Sequence, residues 1–199
     1  MFKIALDLDD VLLSSNDIII ETFKEYGHDK KTALNYMKNW GLPGAPNDVV
    51  FSIRNKFISS SHSCDPKRIY NNSREWVKKH KDYFDIIVVT ARPEAISEET
   101  KQFVNEHFGI DQSRIFVEPH SKTKTLLEQG VEFLIDDGPH NLTPFLTRDS
   151  KVIPILISNK LTVYNHKLAK DMAKQGLVVR ELSDVTVDYL SSLKNRTFF

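Results

Sequence analysis

The chain has 199 residues, with 27 Lys and Arg against 27 Asp and Glu and a formal net charge of zero. Length predicts one domain, with or without an insertion, and surface scaling buries about 70% of the unfolded chain's surface, so no covalent or metal staple is required. The charge balance excludes a protein that coats nucleic acid through bulk basic charge, while a single cysteine, no secretory leader pattern and no apolar run long enough to span a bilayer predict a cytoplasmic, reducing setting without a membrane partner.

The first predicted element is a strand at residues 2–8 (FKIALDL). Its apolar run is continuous rather than alternating, the pattern of a strand covered on both faces of a parallel sheet. Residues 16–79 hold no convincing strand run but four helical patterns, at 18–26, 32–40, 49–59 and 66–79, with a loop signal at 41–47 (GLPGAPN). That block is too long for one crossover and predicts a helical cap at 15–80 inserted into an α/β core formed by 1–14 and 81–199. A second strand is expected at 84–90 (FDIIVVT), followed by a helix at 96–108, a weaker strand at 114–117 and a helix at 123–129. Strands at 133–135 and 152–157, a helix at 164–174, a weak strand at 177–179 and a closing helix at 184–193 complete the chain. The alternation predicts an α/β doubly wound parallel sheet.

Asp7 and Asp9 end the first strand run two residues apart, so the period of a strand points both carboxylates the same way. Thr90, Ala91 and Arg92 end the second run, and Asp136 and Asp137 end the run at 133–135. Ligands in open α/β sheets bind just beyond the carboxyl ends of the strands, which is where all of these residues fall. Clustered carboxylates repel unless protonated, hydrogen-bonded or holding a cation, and an all-oxygen donor set suits Mg²⁺. Lys122 or Lys124, ahead of the strand with the Asp pair, could balance that charge and hold a phosphate. Phosphoryl transfer is the chemistry implied.

These segments, DLDDV (7–11), VVT (88–90), Lys122 and IDD (135–137), resemble the four ordered motifs of the haloacid dehalogenase superfamily of phosphatases. The resemblance implies that Asp7 is the nucleophile and Asp9 the general acid and base. It implies Mg²⁺ held by Asp7, the backbone carbonyl of Asp9 and an acidic residue of the last motif, with Asp137 as direct ligand and Asp136 behind it. Thr90 and Lys122 would bind phosphoryl oxygens. Lys122 is preferred on spacing, with Lys124 a rival. IDDGPHN (135–141), the insertion after the first strand and the Tyr164–Asn165 pair resemble the 5'(3')-deoxyribonucleotidase branch, whose members often carry Arg where Gly138 stands. The substrate implied is a small phosphorylated molecule, a (deoxy)nucleoside monophosphate.

Several residues keep two readings. Asp10 faces solvent or supports the turn after the first strand; Arg92 touches substrate or pairs with a surface acid. His140 is expected to serve loop packing, and residues 61–64 to form a loop. The cap aromatics Phe23, Tyr26, Tyr36, Trp40, Phe51 and Phe57 serve the cap core or stack a base. Two other functions share the pattern: a phosphatase acting on nucleic-acid ends or another small metabolite, and a non-catalytic protein that binds a phosphorylated ligand. The sequence leaves room for a homo-oligomer.

Overall fold

The protein is described from a computed structural model covering residues 1–39, 46–158 and 166–196. Six parallel strands form one sheet in the order β3-β2-β1-β4-β5-β6: β1 Phe2–Leu6, β2 Phe84–Thr90, β3 Ile115–Val117, β4 Phe133–Asp136, β5 Ile153–Ile157 and β6 Val178–Val179. The central register sets Leu6 opposite Val88 on one side and Ile135 on the other. Continuous burial along β2 and β4 follows from their unbroken apolar runs, which bury a strand only when helices cover both faces of the sheet. The order places β1 between β2 and β4, so the residues that follow these three strands converge on one rim.

The helices are α1 Asn16–Glu25, α2 Lys30–Asn39, α3 Asn47–Ile58, α4 Ser60–Ser63, α5 Ser73–His80, α6 Ser97–Phe108, α7 Thr123–Glu128, α8 Pro139–Leu142, α9 His166–Lys174 and α10 Val187–Lys194. Gly109 ends α6 in the left-handed conformation, φ 67°, with its amide bonded back to Asn105; glycine adopts that geometry without the Cβ clash other residues meet. Residues 61–64, expected as a loop, instead begin in the one-turn helix α4, whose Ser63 amide and hydroxyl both bond to the Ser59 carbonyl. No helix among the described residues is long and apolar enough to cross a membrane.

The block between β1 and β2 has two parts. Helices α1 to α3 enclose a small apolar cluster of their own, around Ile19, Phe23, Ala33, Tyr36, Val49 and Ile53. Helix α5 instead belongs to the main core: Trp76 and Val77 join the sheet's cluster, Trp76 stacks near Phe84 at 5.8 Å, and its Nε1 donates to the Val185 carbonyl at 2.9 Å. Helix α5, although inside the expected insertion at 15–80, thus packs with the sheet. The aromatic face of α5 covers the start of β2, and the separate cap core ends with α3. The loop signal at 41–45, Trp40 and the Tyr164–Asn165 pair lie outside the described residues.

The chain leaves the core and returns to it side by side. Leu13 bridges Ile69 antiparallel, the Ser14 amide donates to the Arg68 carbonyl at 2.6 Å, and the Tyr70 amide donates to the Leu12 carbonyl at 3.1 Å. This short ladder fixes the root of the insertion beside the end of β1.

Candidate active site

After β1 the chain turns tightly: the amides of Leu12 and Leu13 both reach the Leu8 carbonyl at 2.9 Å. Asp10 stands in the left-handed region at φ 59°, a conformation that a short polar side chain tolerates when it bonds locally. Its Oδ1 accepts from the Ser15 amide at 2.9 Å and from the Tyr70 hydroxyl at 3.4 Å. Asp10 is buried, so of its two sequence readings the turn support describes its place. Burial, only partly opposed by the Ser15 amide, pushes its carboxyl up to about 6.

Asp7 follows β1 directly, and its amide extends the β1–β4 pairing to the Ile135 carbonyl at 2.9 Å. Its Oδ1 accepts from the Leu8 amide at 2.7 Å and from Lys122 Nζ at 2.8 Å. Lys122 is 2% exposed and also donates to Asp136 Oδ2 at 2.7 Å. Asp136 Oδ1 takes the Gly138 amide at 2.7 Å and Asn141 Nδ2 at 3.1 Å. A Cβ at position 138 would lie 3.1 Å from Asp136 Oδ1 and 2.9 Å from the His140 ring. A side chain at 138 would therefore need the exposed His140 ring to shift aside.

Ligand oxygens of Asp7, Asp136 and Asp137 lie within 4.8 Å of one another, and all three residues are buried. Fully ionised, three carboxylates facing one ammonium would leave two negative charges uncompensated, and without a cation the cluster answers by holding protons more tightly. Burial, then the neighbouring Asp136, raises the Asp7 carboxyl to about 7 despite Lys122, and burial with Asp10 and Asp136 nearby raises Asp137 well above the usual carboxylate range. Burial works against the Lys122 charge, yet Asp7 and Asp136 together hold its pKa above the usual lysine value. Hard oxygen donors with a two-charge deficit fit a divalent cation of the Mg²⁺ type. Asp136 already accepts three protein donors, whereas Asp137 receives no side-chain hydrogen bond or ion pair from the described residues. That contrast makes Asp137 the better direct ligand of the pair.

Asp9 stands apart from this trio. Arg92 grips it with Nε to Oδ2 at 2.8 Å and Nη2 to Oδ1 at 3.0 Å, and Arg68 adds Nη2 to Oδ1 at 2.7 Å. Burial alone would raise its pKa, but Arg92 and then Arg68 hold it well below the usual carboxylate range. The side chain is thus committed to guanidinium groups.

Asp7, Asp9, Thr90, Ala91, Arg92 and Asp137 all line one cavity of about 290 Å³. Thr90 is buried at the end of β2. Arg92 lines the cavity, and its acidic partner is Asp9 inside the site rather than a surface acid: it is 4% exposed and pairs with Asp9. Lys124 is not brought to the cavity. Its side chain is 83% exposed beside Glu128, whereas Lys122, at the N-cap of α7, is buried between Asp7 and Asp136 behind the cavity wall. His140 reaches the cavity as well as the loop. Among the cap aromatics, Phe57 lines the cavity, Phe23 and Tyr36 pack 5.3 Å apart in the cap core, and Tyr26 and Phe51 are exposed. Arg68 is the functional residue that sequence reasoning missed. It lies at the start of the stretch 66–79 that reads as a helix, and the pairing of 12–14 with 68–70 brings it to Asp9.

Among solved structures, the chain superposes over almost its whole length on three α/β proteins. They are β-phosphoglucomutase from Clostridium difficile (TM-score 0.54, 14% identity, 98% of each chain), a phosphoserine phosphohydrolase-like protein from Francisella tularensis (0.55, 16%, 97% of this chain and 99% of that one), and a haloacid dehalogenase-like hydrolase from Burkholderia xenovorans (0.52, 12%, 96% and 99%). The chain has the haloacid dehalogenase fold. No protein-family model and no curated protein sequence matches it.

Proposed function

We propose that this protein is a Mg²⁺-dependent phosphomonoesterase that works through an aspartyl-phosphate on Asp7, with nucleoside or deoxynucleoside monophosphates as the substrate class. The observation that carries the reading is the arrangement around Asp7: one oxygen pinned by the Leu8 amide and Lys122, the other unpinned, and two further buried carboxylates within 4.8 Å. Phosphate monoesters arrive as dianions, so an attacking carboxylate needs positive charge around it. A carboxylate displacing halide from carbon would face no such charge, and the surplus of acid beside Asp7 would then serve nothing. The names of the mutase and of the phosphoserine phosphohydrolase-like neighbour point to the same chemistry, and Phe57 on the cavity wall supports a planar leaving group.

Asp7, Asp137 and the backbone carbonyl of Asp9 would hold the cation, which when bound offsets carboxylate charge and polarises the phosphoryl oxygens. Asp7 Oδ2 attacks phosphorus, the ester P–O bond breaks, and the leaving alkoxide takes a proton from the protonated Asp9, which becomes a carboxylate. Water then attacks the phosphoenzyme: Asp9 takes its proton, the new P–O bond forms, the bond to Asp7 breaks, and inorganic phosphate departs. Lys122 holds Asp7 in place and faces the phosphoryl group with Thr90. Asp9 as found, ionised between two arginines, is ready for the second half; to protonate a poor leaving group in the first half it must loosen that pairing. A reducing cytosolic setting completes the reading.

A panel of phosphate esters with Mg²⁺, repeated with chelator and with Asp7→Asn, tests it. Turnover of nucleoside monophosphates that chelation stops, and that Asp7→Asn lowers by at least about 10⁴-fold in kcat, is expected. No hydrolysis of any monoester, or full activity in Asp7→Asn, sinks the reading.

A further inference from the structure

Arg68 belongs to the insertion, fifty-nine residues from Asp9 in sequence, yet it binds three separate parts of the site's frame. Its Nε donates to the Ser14 carbonyl at 2.8 Å, on the segment leaving the core. Its Nη1 donates to the Ser63 carbonyl at 2.8 Å, on the segment returning to it. Its Nη2 donates to Asp9 Oδ1 at 2.7 Å. From the core side, Arg92 binds both Asp9 oxygens and places its own Nη2 on the same Ser63 carbonyl at 2.7 Å. The Phe57 ring lies under the Arg68 guanidinium, 5.5 Å from centroid to Cζ. Both arginines are almost fully buried. A guanidinium fork with every arm engaged is rigid in a way that an ammonium on a flexible stem is not.

We propose that Arg68 is a positioning residue: through it the root of the insertion aims the Asp9 carboxylate for the water that hydrolyses the phosphoenzyme. The inference rests on the phosphatase reading above. Asp9 Oδ1 receives two guanidinium donors and Oδ2 one, so Oδ2 keeps the greater capacity to accept the water's proton. Without Arg68 the carboxylate hangs from Arg92 alone, and its link to the insertion is cut. A misplacement of about 1 Å costs a general base on the order of 10²-fold. Arg92 binds both Asp9 oxygens from the core side, and what Arg68 adds is a hold from the insertion side.

The role has a kinetic signature distinct from support of the fold. p-Nitrophenyl phosphate expels a leaving group that needs no proton, so phosphoenzyme formation on that substrate does not depend on how Asp9 is aimed, whereas its hydrolysis does. For Arg68→Gln with Mg²⁺ we expect kcat to fall tenfold or more and KM to fall with it. The ratio kcat/KM should stay within about twofold of wild type, and acid-quenched protein should carry more covalent phosphate than wild type in the steady state. Arg68→Lys keeps the charge but not the fork, and is expected to show the same pattern at smaller amplitude; it decides the matter if Arg68→Gln does not fold. Equal losses in kcat and kcat/KM with KM unchanged would show a structural role only and overturn the proposal, as would unaltered kinetics. Wild-type protein that neither turns over p-nitrophenyl phosphate nor takes up covalent phosphate would instead overturn the phosphatase reading, and the proposal with it.

Discussion

The two aspartates that end β1 sit two residues apart and live in opposite electrostatic surroundings. Asp7 shares a single ammonium, Lys122, with Asp136 and faces Asp137, so its corner is short of positive charge. Asp9 has two guanidinium groups to itself. One carboxyl is consequently pushed up and the other held down, by the same rules of burial and neighbouring charge applied to different partners. On the proposed phosphatase reading, the first corner would serve the nucleophile that meets a phosphate dianion and the second the group that handles the proton of water. Divergent proton affinities within a few ångströms are how one site divides acid, base and nucleophile among chemically identical groups.

The largest way to break this contrast is to remove the one cation of the Asp7 corner. Lys122→Met takes a buried donor from both Asp7 and Asp136 and a positive charge from the phosphoryl site, and kcat is expected to fall by about 10²–10³-fold. Steady-state assays on the best ester of the panel, at saturating Mg²⁺, measure it. A loss under threefold would mean that Lys122 only balances charge in the resting protein.

How much of each corner could be read in advance follows from how local it is. Asp7, Thr90 and Asp136 each fall at the end of an apolar run, and parallel strands bring such ends to one rim whatever the connections do. The sheet and the Asp7 corner were therefore legible from strand runs alone. Spacing preferred Lys122 over Lys124 without removing the rival, and the burial of Lys122 between Asp7 and Asp136 separates the two. The Asp9 corner was less legible still. Arg92 read as a residue for substrate or surface because nothing in sequence announces that a guanidinium beside a strand end folds back on a neighbouring strand. Arg68 depends on the ladder of Leu13 with Ile69, a contact made across the whole insertion. The packing of α5 was hidden for a similar reason: α5 has the same helical period as α1 to α3, and the Trp76–Phe84 contact sets it on the sheet.

The contrast also has a thermal form, measurable without turnover. In chelator, Asp7 titrates near 7 when folded and near 3.9 when unfolded, so between those values the native state holds a proton that the unfolded chain releases. Stability contributed by this group therefore falls as pH rises from about 4 to 7. Asp7→Asn abolishes the dependence, and its Tm relative to wild type should rise by a few degrees between pH 5 and pH 8. Asp9, held down when folded, works the other way: its contribution is present above the unfolded value and is lost as pH falls through the depressed one. Asp9→Asn should melt several degrees below wild type at pH 7, with a deficit that narrows only below about pH 4. Melting curves that move in parallel for both variants would erase the distinction between the corners.

The smallest expected effect sharpens the same boundary from outside. Lys124 is two residues from Lys122 and carries the same charge, yet its side chain is 83% exposed and meets only Glu128, at 3.8 Å. An exposed i,i+4 pair contributes about 0.3–0.5 kcal/mol at most, which for a chain of this size is about 1–2 °C in Tm. Lys124→Ala should leave kcat and KM within about twofold of wild type, measured beside Lys122→Met on one ester. If charge near the rim were enough, the two variants would lose activity together. If Lys122 acts because it is buried between Asp7 and Asp136, a hundredfold or greater gap separates them. The reverse ranking, with Lys124→Ala the damaging change, would require α7 to dock in a different register and would dissolve the Asp7 corner as drawn.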